Sequence, residues 1–188
     1  LRKAGVDGWV CSGVDHWCTP LFPSKVYPAS HPKANRAWLE YLLRQAEQAG
    51  ITVVSWYALN MAQPVVAKYP HYRMQLLDWE YPADSKLAEN ASRYFACLNS
   101  PYLDLLADFC RELIRLGFKG VWFDGNTISL HGSQPTFQPG CRCRYCVESF
   151  RKATGEALPM AVDFNNPVFK RWLVWRYAIL ERAWAKLA

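Results

Sequence analysis

The sequence has no apolar run approaching the roughly 20 residues that a spanning helix needs, and none of its strand-like runs leads into a Gly-x-Gly-x-x-Gly loop. The first absence excludes a membrane-spanning helix, and the second argues against a dinucleotide fold. The marks of disorder are missing too. Of 188 residues, 51% are hydrophobic and 20% charged, a normal balance for one domain with its own core. Dense runs of one charge sign are also absent. The net charge of +6 is carried largely by residues 140–188, where nine Lys and Arg face four Asp and Glu. These cations are spaced through an amphipathic pattern, so they read as a solvated helix face rather than a nucleic-acid patch. No basic-then-apolar stretch follows Leu1, and the chain stops inside the helical pattern "RWLVWRYAILERAWAKLA". The expectation is a piece of a longer protein, cut at both ends, whose targeting signals lie elsewhere.

What the chain does have is aromatic weight and a repeated grammar. Aromatics make up 15% of it, with nine Trp and ten Tyr, residues that serve cores and also surfaces that stack on sugars. In "KAGVDGWVCSG", "QAGITVVSWYAL" and "RLGFKGVWFDG" a helical pattern ends at Gly5, Gly50 or Gly117 and an apolar run begins within three residues. Glycine just past a helix is the usual left-handed cap. Each run is short, rich in Val, Ile, Trp and Phe, and without clean alternation, as expected of a parallel strand buried on both faces. Between them, residues 34–49 place Trp38, Leu39, Leu42, Leu43 and Ala46 on one side, and residues 101–116 do likewise with Tyr102, Leu105, Leu106, Phe109 and Leu113. Further helices are expected over 143–154 and from the "NNP" at 165–167 to the end.

Repeating strand and helix units argue for α/β with a parallel sheet. Long strand-to-helix connections and short helix-to-strand turns fit a (β/α)8 barrel whose functional rim lies at the carboxyl ends of the strands. Polar groups collect there: Asp15 and His16 after the first run, Tyr57 and Asn60 after the second, Asp124 and Asn126 after the third. Three strands cannot close a barrel. The fold expected is therefore a partial (β/α)8 TIM barrel of about three βα units, with residues 1–188 as one piece of it.

Asp124 has two readings: Asp-Gly commonly ends a strand in a turn, and a carboxylate backed by Trp122 and Phe123 at the rim could attack an anomeric carbon. His16 is either a hydrogen-bonded structural residue or a substrate contact. Glu80, Glu148 and Glu156 are candidates for a second carboxyl by residue type; Glu148 lies in a helical pattern and Glu156 follows a helix cap, so solvated roles suit them better.

Cysteine is concentrated in "CRCRYC", which holds Cys141, Cys143 and Cys146, with Cys11, Cys18, Cys97 and Cys110 elsewhere. Three clustered thiols are one short of a tetrahedral zinc site. Disulfides compete with that reading, but C-x-C spacing is awkward for a bridge and seven is odd. Zinc is favoured. Cys97 is the best fourth ligand, because its loop should share the rim with the cysteine loop, whereas Cys110 lies inside a helix. Four cysteine ligands leave no open position, so the zinc would be structural.

The stretches "LRKAGVDGWVCSGVDHWCTPLFPSKVYPASHP", "LLRQAEQAGITVVSWYAL" and "FCRELIRLGFKGVWFDG" resemble, in order and spacing, the first half of the barrel of alpha-L-fucosidases and of the hypothetical glycosyl hydrolases related to them. The likeness covers most of residues 1–126, and "VWFDG" after "REL" is its most specific part. It implies that Asp124 is the nucleophile of a retaining glycosidase and that the acid/base lies further along the barrel. The family carries a His-His pair where this chain reads Asp15-His16, so a sugar-hydroxyl contact transfers to His16 alone and the sugar stays undecided. Tyr57 matches an aromatic position at the next strand end. A Cys followed 44 residues later by C-x-C-x2-C, as at Cys97 and Cys141, is similar to the zinc cluster of some barrel beta-galactosidases.

The expected site is thus Asp124 as nucleophile, with Asp15, His16, Trp56, Tyr57, Trp122 and Asn126 around the substrate, and Cys97, Cys141, Cys143 and Cys146 on zinc. The expected partners are a carbohydrate and the rest of the barrel, with a homo-oligomer left open and neither nucleic acid nor membrane. Reduced cysteines favour the cytoplasm. The rival readings are a non-catalytic carbohydrate-binding barrel and a zinc-knuckle module that binds nucleic acid.

Overall fold

A computed structural model describes residues 2–75, 95–124, 141–160 and 163–188. Its strands are β1 (Gly8–Ser12), β2 (Thr52–Ala58) and β3 (Val121–Asp124). Its α-helices are α1 (Arg36–Gln48), α2 (Gln63–Lys68), α3 (Tyr102–Leu116), α4 (Arg144–Thr154) and α5 (Pro167–Leu187). The three strands form one parallel sheet in the order β1-β2-β3. Register runs Val10 to Val54, Ser12 to Trp56, Trp56 to Trp122 and Ala58 to Asp124.

Local chemistry sets the element ends. Asn35 lies extended at the start of α1, and its side chain accepts from Trp38 N at 2.9 Å, satisfying one of the orphan amides of the first turn. Asn166 does the same for α5, at 2.8 Å from Val168 N, with Pro167 supplying the preset φ of a first helical residue. Gly50 and Gly117 take φ of 67° and 122° where α1 and α3 turn into β2 and β3, conformations that a side chain would strain.

Parallel pairing demands crossovers, and the amphipathic α1 and α3 lie in those crossovers. Leu39, Leu43 and Ala46 of α1, and Tyr102, Leu106, Phe109 and Leu113 of α3, join Val53 and Tyr57 of β2 in the main core. Trp38 is a correction to the sequence reading: it lies one position off the buried stripe and is 58% exposed. Burial of the strands on both faces is a second correction. In β2 the residues Val53, Ser55 and Tyr57 are buried, whereas Val10 and Trp122 on the opposite sheet face are exposed. No described element covers that face. The apolar pattern was sound; it marks a surface that three strands by themselves leave open.

A second, smaller core lies where α4 and α5 meet. Phe150, Phe169, Trp172 and Trp175 pack there with four cysteines, and the guanidinium of buried Arg176 stands 5.1 Å from the centre of the Trp172 ring. No described helix is long and apolar enough to cross a membrane.

Candidate functional site

The carboxyl end of the sheet carries the first group of candidate residues. Asp124 is the last residue of β3, on the same sheet face as Trp122, and its side chain is exposed. The Trp56 indole Nε1 donates to Asp124 Oδ2 at 3.1 Å across the β2–β3 pair. The carboxylate is therefore oriented by a neighbouring strand. Its backbone is pinned as well, because Asp124 O accepts from Leu59 N at 3.0 Å. The main-chain bond continues the β2–β3 ladder and would be made by any residue at this position, whereas the bond from Trp56 is specific to the carboxylate.

The loop after β1 folds on itself. Asp15 Oδ1 accepts from Trp17 N and Thr19 N, both at 2.8 Å, and Thr19 O accepts from Asp15 N. This ties one Asp15 oxygen into its own turn and leaves His16 and Trp17 exposed, their rings 4.9 Å apart edge to face. Tyr57 lies elsewhere. It is fully buried, its hydroxyl bonded to those of Tyr27 and Tyr102 and donating to Met61 O at 3.2 Å. Burial pushes all three phenols above their usual value, so they stay protonated. Alternation explains the placement, since Tyr57 falls on the helix-facing side of β2 and Trp56 on the other. Trp56, Trp122 and Asp124 are thus brought together, and Tyr57 is not among them. Asn126 and Glu80 lie outside the described residues. Glu148 is exposed on α4, and Glu156 pairs with Arg171, which holds its carboxyl below the usual range.

The second group is the cysteine cluster. The sulfurs of Cys97, Cys141, Cys143 and Cys146 all lie within 4.8 Å of one another, and all four residues are buried. A tetrahedron with Zn–S bonds of about 2.3 Å has S···S edges of ~3.8 Å, so the set fits one metal ion. Cys97 comes from the segment before α3. Cys143 caps α4, its carbonyl accepting from Cys146 N at 2.9 Å and Val147 N at 3.0 Å. Amide donors surround the sulfurs: Gln75 N to Cys141 at 3.2 Å, Asn99 N to Cys97 at 3.4 Å, Asn99 Nδ2 to Cys146 at 3.3 Å, and Cys143 N to Cys141 at 3.4 Å.

Crowding splits the thiols. Bonds from Cys141, Cys146 and Cys97 hold Cys143 far below its usual value, while contacts with Cys141 first and Cys143 second raise Cys97 and Cys146. A divalent cation would draw all four to the thiolate. Cys110 is not part of the group; it lies in α3, and burial raises its thiol to about 12.

Between the cluster and α5 is a cavity of about 60 Å³ lined by Asn60, Trp172, Trp175 and Arg176 among others. That is far short of the ~300–1,000 Å³ of a ligand pocket, so it is a gap beside the cysteines and no sugar site. The hydrogen bonds from Trp56 and Asn99 could not be read from the sequence, because each spans a long separation with no fixed spacing.

No protein-family model matches the chain, and no curated protein sequence does. Among solved structures, it is similar to alpha-L-fucosidase isoenzyme 2 from Paenibacillus thiaminolyticus, with a TM-score of 0.66 at 20% identity, over 100% of this chain and 25% of that one. It is also similar to a hypothetical protein from Ruminiclostridium thermocellum ATCC 27405, with a TM-score of 0.53 at 12% identity, over 93% of this chain and 78% of that one. The chain therefore spans a quarter of the fucosidase's length. At these identities the likeness is one of fold.

Proposed function

We propose that the chain is the opening part of a glycoside-hydrolase (β/α)8 barrel in which Asp124 is the nucleophile of a retaining displacement. The observation that carries this reading is the Trp56-to-Asp124 hydrogen bond of 3.1 Å, which orients an exposed carboxylate at the carboxyl end of a parallel strand. The fucosidase-like fold supports the same reading.

In the first step an Asp124 oxygen attacks the anomeric carbon as the aglycone oxygen leaves with a proton from a second carboxyl, giving a glycosyl-enzyme. That carboxyl then takes a proton from water, whose oxygen displaces Asp124. In a retaining enzyme the two groups stand about 5–5.5 Å apart. Asp15, another rim carboxylate among the described residues, has one oxygen tied into its own turn, and the resemblance to fucosidases implies an acid/base further along the barrel. Trp122 and His16, both exposed, offer a stacking surface and a hydroxyl contact to a sugar.

Zinc on Cys97, Cys141, Cys143 and Cys146 would be structural, since four protein ligands leave no open position for water. It would join the loops that follow β2 and β3 and so brace the rim. The basic residues of α5 suit a solvated helix face better than a nucleic-acid patch. Arg171 pairs with Glu156, Lys186 with Asp104 and Arg182 with Asn99, so cations of α5 are engaged within the fold. The rest of the barrel would cover the open sheet face.

The test is hydrolysis of aryl glycosides by the full-length protein. Asp124→Ala should lower turnover on the order of 10⁴-fold or more, and added azide should restore it as the glycosyl azide. Equal rates for the variant and the wild type would overturn the assignment.

A further inference from the structure

The zinc reading assigns four sulfurs and stops there. Around them, one residue outside the ligand set bonds to two of the four, once through its main chain and once through its side chain, and those two come from different parts of the chain. Asn99 donates its backbone N–H to Cys97 at 3.4 Å and its side-chain Nδ2 to Cys146 at 3.3 Å. Its Oδ1 accepts from Arg182 of α5 at 3.1 Å. A guanidinium can only donate, so the oxygen must face Arg182 and the amide N–H must face the sulfur. The amide orientation follows from chemistry.

We propose that Asn99 is a positioning residue of the metal centre, donating two N–H bonds to thiolates and passing the positive field of Arg182 towards them. Its proper ligand is a mononuclear tetrathiolate of a thiophilic divalent ion, which carries a net charge of −2. Sulfurs that hold this charge among buried side chains are stabilised by N–H donors. Gln75 N and Cys143 N supply two such bonds from the main chain, both to Cys141. Asn99 alone makes a side-chain bond of this kind among the described residues. It also links Cys97, ahead of α3, to Cys146 on α4, and through Arg182 it fastens both to α5. Outer partners of this type commonly alter metal affinity by about 10- to 100-fold when lost.

The inference rests on the zinc reading, and the experiment separates the two. Full-length wild type, Asn99→Ala, Asn99→Asp and Arg182→Gln are each titrated with zinc against a chromogenic chelator at one pH. Each is also loaded with Co²⁺, whose sulfur-to-metal absorption reports thiolate donation. Asn99→Ala should bind zinc about 10-fold more weakly. Asn99→Asp has nearly the same shape and keeps an oxygen for Arg182, yet it turns a donor into an anion facing sulfur, so it should lose more affinity than Ala and shift the Co²⁺ band furthest. Arg182→Gln should show a smaller loss in the same direction. If Asn99→Asp binds as the wild type does while Asn99→Ala is weakened, the residue merely fills space and the proposal fails. It fails too if all variants stay within twofold. If the wild type takes up neither metal, it is the zinc reading itself that falls.

Discussion

Glu112 offers the clearest test of how the fold holds its long β1–α1 loop. It lies on α3, 6% exposed, and faces the loop across the core. Oε1 accepts from Lys25 N at 2.8 Å and Oε2 from Ser24 Oγ at 2.5 Å. Ser24 Oγ in turn accepts from Val26 N at 3.1 Å and Tyr27 N at 2.9 Å. One carboxylate thus organises three backbone amides, directly or through one hydroxyl. Glu112→Ala removes two bonds to a charged acceptor, each contributing about 1.5–3 kcal/mol, and leaves the Lys25 amide without its acceptor. Against this, the variant no longer keeps a charge out of water, which offsets part of the loss. The expected net is about 3 kcal/mol. Glu112→Gln keeps one acceptor and nearly the same volume, so about 1 kcal/mol is expected. For a domain of this size each kcal/mol moves Tm by roughly 2–4 °C, giving a drop of about 6–12 °C for Ala and 2–4 °C for Gln. Urea denaturation followed by Trp fluorescence measures both. An Ala variant less than about 1 kcal/mol below wild type would refute the reasoning, because it would mean the loop is held by something else.

Other outcomes follow from the same physics. Burial raises the Cys18 thiol from 9.0 to about 12, so the folded state keeps a proton that the unfolded state releases. Stability from this group is full below pH 9 and falls by about 1.4 kcal/mol per pH unit from pH 9 to 12; Cys18→Ala should show a shallower pH slope than wild type in urea titrations. Trp38, 58% exposed, should tolerate Trp38→Ser within about 0.5 kcal/mol, whereas a core Trp would cost several. Elemental analysis of protein purified without chelator should find about one zinc per chain, released only with loss of fold when a strong chelator is added. Less than about half an equivalent would count against the site.

How far the sequence foretold the structure varies by kind of feature. Helix bounds were legible because caps are local: Asn166-Pro167 and Gly117 announce α5 and the end of α3 within a few residues. The parallel sheet was legible from the spacing of strand and helix. Side-chain direction was less so. Tyr57 sits one residue from Trp56, and that one step decides between core and open face, which an apolar run without alternation does not reveal. Trp38 failed for the same reason in a helix, where a 100° step separates it from Leu39. The cysteine group was readable in part: C-x-C-x2-C on one helix start is a local pattern, but the fourth sulfur needs the fold or a likeness to supply it. Glu112 was invisible, since a polar residue on an apolar face looks like an interruption until its loop partners are in place.

A metal on the four sulfurs would also change how the chain bears load. Cys97 and Cys141 stand 44 positions apart, and bonding both to one ion closes the backbone between them into a ring. That ring contains α3, β3 and Asp124. Tension applied to the two ends of the chain would then run through metal–sulfur bonds and bypass the ring, so the strand that holds the carboxylate would stay slack while the rest of the chain was pulled.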